Sequence, residues 1–196
     1  MNHQHRLSNV TKNYLAAFHC ILDEIIEGMT SAELTDSISH NFIVQMIPHH
    51  RAAIRMSENI LQYTTNIPLQ DIATGIITAQ TKSIADMEEI LCSCSRSGNS
   101  NRDVCLYQRR MNQIMQVMFT DMEMACSTNE INADFMREMI PHHRGAVEMS
   151  KNTLRYDICP ELIPILDAII TSQERGICQM QQLLRCIGGT DKCQRR

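Results

Sequence analysis

The chain holds 196 residues with a formal net charge of −4, a length that suits one large domain or two small ones at roughly 150 residues each. Its 7 Gly and 5 Pro are too few turn formers for a sandwich or barrel, which turns every ~8–12 residues. Hydrophobic residues make up 43% and charged residues 20%, which excludes wholesale disorder, and the lack of a basic excess leaves no electrostatic footprint for nucleic acid.

The N-terminus, Met1 to Lys12, is polar and lacks the apolar core of a secretory signal. No segment approaches the ~18 unbroken apolar residues of a membrane span, so the expectation is no membrane partner and a cytoplasmic location. There the 9 Cys would be kept reduced, and an odd number does not suit a closed disulfide framework. Were the chain exported, several could pair. Next, Tyr14, Phe18, Ile21, Leu22, Ile25 and Met29 recur at helical steps, with Gly28 marking an end. A second helix is predicted from about Ser39 to Tyr63, and a third, after Pro68, from about Leu69 to Leu91. The stretch Ser93 to Asp103 is the most loop-like. Three more helices follow, at about Asp103–Ala125, Asn132–Tyr156 and Glu161–Arg185. Strand-like alternation is absent.

The chain repeats itself. "MIPHHRAAIRMS" (Met46 to Ser57) returns as "MIPHHRGAVEMS" (Met139 to Ser150), an offset of 93, and residues 42–91 align with 135–184 without a gap at 22 identities in 50 positions. The expected architecture is all-α: one helical domain over residues 1–196, an antiparallel bundle of two tandem three-helix repeats at about 10–92 and 103–187, with a linker at 93–102.

At roughly 100° per residue, Met46, Phe42, Ala53, Ile60, His49 and Met56 share one apolar stripe, while His50 lies at its opposite edge. Met139, His142, Met149 and His143 repeat the arrangement. Pro48 and Pro141 sit inside these helices, where proline removes a hydrogen bond and bends the chain; the alternative is that each begins a fresh helix. Gln80 and Gln173 are polar members of an otherwise apolar face, and a histidine ring across the bundle would suit them as partner.

Methionine at helical spacing is commonly core filler, and the steps of Met111, Met115, Met118 and Met122 are those of an ordinary buried stripe. A single inward histidine is commonly a hydrogen-bonded core residue. Two identical Met-x-x-His-His settings are harder to motivate by packing, because burying neutral imidazole is costly. Thioether and imidazole together select Cu(I), with Ag(I) as its mimic, whereas harder ions want oxygen. A di-iron site would need Glu-x-x-His on paired helices, and Glu138 stands four residues before His142.

The repeated M-I-P-H-H, with Phe four residues before its Met and A-x-x-x-M-S after it, resembles domain-of-unknown-function family 305, a ferritin-like helical family. The resemblance spans about residues 10–187. It implies a ferritin-like bundle and copper held through Met46, His49, His50, Met56, Met139, His142, His143 and Met149. The family pattern Q-x-x-E-I-x-x-M appears here as Gln80–Ser83–Ile84–Met87 and Gln173–Gly176–Ile177–Met180, without its acidic residue.

Smaller features are Cys92-x-Cys94 with Cys105, a thiolate clip for a soft metal or simply loop thiols, and Met1-Asn2-His3, whose third-position imidazole suits square-planar Cu(II). The functional expectation is a non-enzymatic Cu(I)/Ag(I)-binding protein for sequestration, buffering or resistance, with the metal ion as partner. The alternative is a metal-free helical scaffold or oligomerisation module, and a homo-oligomer is left open. A ferritin-like oxidase or hydrolase lacks the carboxylates such chemistry uses.

Overall fold

The computed structural model describes residues 7–96 and 98–188. Among them are six helices and no strand: α1 (Asn9–Thr30), α2 (Ile38–Leu61), α3 (Ile67–Cys94), α4 (Asn101–Glu123), α5 (Ile131–Thr153) and α6 (Leu162–Cys186). The protein is all-α. Four helices start where a short polar side chain satisfies an orphan amide: Ser8 accepts from Thr11, Ser37 from His40, Asn66 from Leu69 and Ser100 from Asp103.

Each helix buries the stripe its periodicity marks, and the stripes merge into one apolar cluster that includes Tyr14, Phe42, Ile60, Tyr107 and Phe135. The motif helices α2 and α5 lie against each other at the centre. α1 and α3 flank α2, α4 and α6 flank α5, and α3 packs on α6. Equivalent contacts recur at the 93-residue offset: Tyr14 meets Tyr63 edge-on at 5.9 Å, and Tyr107 meets Tyr156 at 5.7 Å.

Gly28 does not end its helix. α1 runs on to Thr30, and a Cβ on Gly28 would lie 2.9 Å from Cβ of Pro48, so the glycine instead admits the proline ring of α2. Both prolines lie well inside continuous helices, since α2 begins ten residues before Pro48 and α5 ten before Pro141; neither opens a fresh helix.

The expectation of reduced thiols fails at Cys94, Cys159 and Cys126, all of which are disulfide-bonded. Cys94, at the end of α3, forms a disulfide with Cys159 in the α5–α6 connection. Both ends are also tied to the start of α2: Ser37 Oγ donates to the Cys94 carbonyl at 2.9 Å, and the Cys159 amide donates to Ser39 Oγ at 2.9 Å. The thiolate clip is thereby overturned, because Cys94 is oxidised while Cys92 and Cys105 remain free, exposed thiols. Met1-Asn2-His3 and Cys193 lie outside the described residues. No described helix is long and apolar enough to cross a membrane.

Candidate metal centre

The two motifs meet at the middle of the bundle. His49 and His142 stack with ring centroids 3.7 Å apart. His49 Nε2 donates to the His142 carbonyl at 3.2 Å, and His142 Nε2 donates to the His49 carbonyl at 3.1 Å. His50 flanks His49 at 5.8 Å and His143 flanks His142 at 5.9 Å. The result is a row of four imidazoles, all buried.

This row has a definite protonation chemistry. Burial pushes all four rings well below the usual imidazole range, His50 to about 3 and His142 to about 4, and the neighbouring rings push His49, His50 and His143 the same way. All four are therefore neutral at pH 7. A carbonyl can only accept, so the Nε2 atoms of His49 and His142 carry the protons and their Nδ1 atoms present bare lone pairs. Every Nδ1 in the row is buried without a hydrogen-bond partner. A backbone carbonyl that fixes the tautomer and leaves the other nitrogen open is an arrangement that would prepare histidine for a metal.

The edge position of His50 is covered more fully than the helical wheel suggests. α3 closes over it, and its Nε2 lies 3.1 Å from Ser83 Oγ. The corresponding residue on α6 is Gly176, whose imagined Cβ would sit 3.0 Å from His143 Nε2. Ser83 and Gly176 thus hold equivalent positions of the two motifs, against His50 and His143. Gln80 and Gln173 do not bond the histidines: both amide atoms of Gln80 and the Gln173 oxygen find no partner in the protein.

Met46, Met56, Met139 and Met149 are all buried in the same cluster. Met46 and Met139 precede His49 and His142 by one turn, about 4.5 Å of rise on the same face, close enough to share an ion with them. Met56 and Met149 lie seven residues beyond, about 10 Å along their helices, too far to join the same group.

One thioether is less conspicuous in the sequence. A Cβ on Gly145 would fall 2.2 Å from Sδ of Met118, so the glycine lets that sulfur approach α5 one turn past His142. At the 93-residue offset the pair is Ala52 and Ile25. The joint exchange of Ile for Met and Ala for Gly is the signal that marks it. The wider pattern agrees: Met111, Met115, Met118 and Met122 of α4 stand where α1 carries Phe18, Leu22, Ile25 and Met29.

Glu138 is the buried acid of the region. Burial raises its pKa well above the carboxylate range, and it accepts a 2.5 Å hydrogen bond from Tyr14. Its counterpart is Gln45, whose amide contacts the Met29 carbonyl at 3.2 Å and Met115 Sδ at 3.8 Å. Among the described residues the one cluster of three His, Cys or acidic ligands is Cys94, Cys159 and Glu161, and its two sulfurs are joined to each other.

Known structures share this architecture. CopM in its Ag-bound form is similar over 78% of this chain and 96% of its own, at 29% identity and a TM-score of 0.57. CopM in its Cu(I)-bound form is similar over 79% and 99%, at 28% identity and the same score. A DUF305 fragment from Deinococcus radiodurans, 22% identical over 76% and 96% of the two chains with a TM-score of 0.56, shares the fold. No curated protein matches the chain. The family model described as "Domain of unknown function (DUF305)" matches residues 39–184. With both motifs and most of its length inside that match, the chain belongs to the DUF305 family.

Proposed function

We propose that the protein binds soft monovalent cations, Cu(I) and its mimic Ag(I), and holds them for sequestration or buffering without catalytic turnover. The observation that carries this reading is the buried row of four neutral imidazoles with unpartnered Nδ1 atoms, set among thioethers. Imidazole and thioether donors without a carboxylate between them match a soft ion better than zinc, iron or manganese. The likeness to a protein crystallised in Ag-, Cu(I)- and Cu(II)-bound forms supports it.

Competition of the purified protein with a Cu(I)-specific chelator, without oxygen, tests the reading. Wild type is expected to withdraw Cu(I), and His49→Ala/His142→Ala to lose at least tenfold in affinity. Full retention by a variant that still folds overturns the site.

A metal-free scaffold is the second reading, and the reciprocal His49–His142 hydrogen bonds favour it, since they join α2 to α5 without any ion. A ligand that prefers the native state must raise the melting temperature. A melt unmoved by excess Ag(I) selects the scaffold.

A further inference from the structure

We propose that the groove between α3 and α6 is the port through which a soft cation reaches the imidazole row, and that His143 Nε2 is the first motif imidazole it meets. This rests on the metal-binding reading and adds a route to it. The row is fully buried, so an ion needs a way in. A cavity of about 600 Å³ opens between the two outer helices, walled by Ile72, Gly75 and Ile76 of α3 and by Gly176 and Gln179 of α6. Of the four motif histidines, His143 alone lines it.

Two independent features point to a ligand there. The first is a pair of buried amides: Gln80 and Gln173 are 2% and 3% exposed, both line the groove, and both carry side-chain atoms without a protein partner. Neutral amide oxygens can replace part of an arriving ion's water shell without holding it tightly. The second is the difference between the motifs. His50 Nε2 is engaged by Ser83, but at the corresponding place Gly176 has no side chain, which leaves His143 Nε2 without that partner. His143 also forms no hydrogen bond that fixes its tautomer, unlike His49 and His142. Its ring can therefore offer Nε2 to the groove, and the inner rings offer Nδ1 to the core.

The experiment follows Ag(I), added as silver nitrate, into the protein by two readouts. In stopped flow, Gly176→Ser places the first motif's hydroxyl over His143 Nε2 and is expected to slow loading at least tenfold, with a melt recorded to confirm folding. In wild-type protein, ring nitrogen NMR during substoichiometric addition is expected to show His143 Nε2 shifting before any other motif nitrogen. Loading of folded Gly176→Ser at the wild-type rate overturns the port, as does perturbation of His49 or His142 ahead of His143. Absence of Ag(I) binding by wild type is a different result, and it overturns the metal-binding reading.

Discussion

His49 and His142 clasp each other across the centre of the bundle, each ring donating its Nε2 proton to the other residue's backbone carbonyl at 3.2 and 3.1 Å. Neither bond can form without fixing a tautomer, and both fix the same one. Long-range nitrogen correlation spectra of the metal-free protein should therefore show Nδ1 unprotonated in both residues. Added Ag(I) should shift Nδ1 and leave Nε2 nearly in place. A metal-induced shift confined to Nε2 would mean that the clasp opens on binding.

The histidine row makes the fold acid-sensitive. In the unfolded chain each ring takes a proton near pH 6.5, whereas burial lowers the folded values, to about 4 for His142 and about 3 for His50. Stability is thus fully present above about pH 6.5 and is lost as pH falls toward the folded values. Each ring that protonates only in the unfolded chain costs up to about 1.4 kcal/mol per pH unit in that window. Urea denaturation at pH 7.5, 6 and 5 should show a steep fall; a flat profile contradicts the buried neutral row.

Glu138 acts in the opposite sense. Its folded pKa is raised, by burial first and by Asp134 in part, so its contribution is greatest below about pH 4.3 and declines as pH rises toward the folded value. Glu138→Gln, which copies Gln45, removes that dependence and can keep the Tyr14 hydroxyl as partner. The variant should gain on wild type as pH rises from 5 to 8. An equal difference at both ends would show that Glu138 does not titrate in this range.

The Cys94–Cys159 disulfide closes a loop of 65 residues, which corresponds to about 4 kcal/mol of loop-closure entropy. Cys94→Ser/Cys159→Ser should melt at a clearly lower temperature in oxidising buffer and match wild type once a reductant is added. Insensitivity of the wild-type melt to reductant would indicate that this bridge adds little.

Gly145 and Met118 should be energetically coupled. Alanine at position 145 gains up to ~1 kcal/mol of helix propensity but must displace the Met118 thioether, which is 2.2 Å from the new Cβ at Sδ and 2.8 Å at Cγ. A net loss of about 1–2 kcal/mol is expected. In the Met118→Ile background, which restores the Ile25–Ala52 pairing, the same change should be neutral or stabilising. Additive effects in this cycle would refute the contact.

Six helices and their buried faces were legible in the sequence because an apolar stripe at 3.6-residue spacing states both a helix and its inward side. The linker was read too long, since α3 continues to Cys94 and α4 begins at Asn101. Gly28 was misread for a physical reason: a glycine that ends a helix and one that admits a neighbouring ring look alike until Pro48 is placed beside it. The disulfide was hidden because its cysteines lie 65 residues apart and become neighbours only through the packing of α3 near the α5–α6 connection. The clasp of His49 on His142 was equally out of reach. Spacing can place each ring on an inward stripe, but which carbonyl a ring meets depends on how α2 crosses α5. Gln80 and Gln173 stood out correctly as polar residues on an apolar face, yet their amides meet the groove, not the rings.

The uneven sharing of sulfur between α1 and α4 bears on how the protein ages. α4 packs through Met111, Met115, Met118 and Met122, while α1 uses Phe18, Leu22 and Ile25 with Met29 alone. Peroxide converts a thioether to a polar sulfoxide and leaves aliphatic and phenyl groups untouched. Oxidative damage would therefore bear more heavily on the α4–α5 side than on the α1–α2 side, whose core thioethers are Met29, Met46 and Met56.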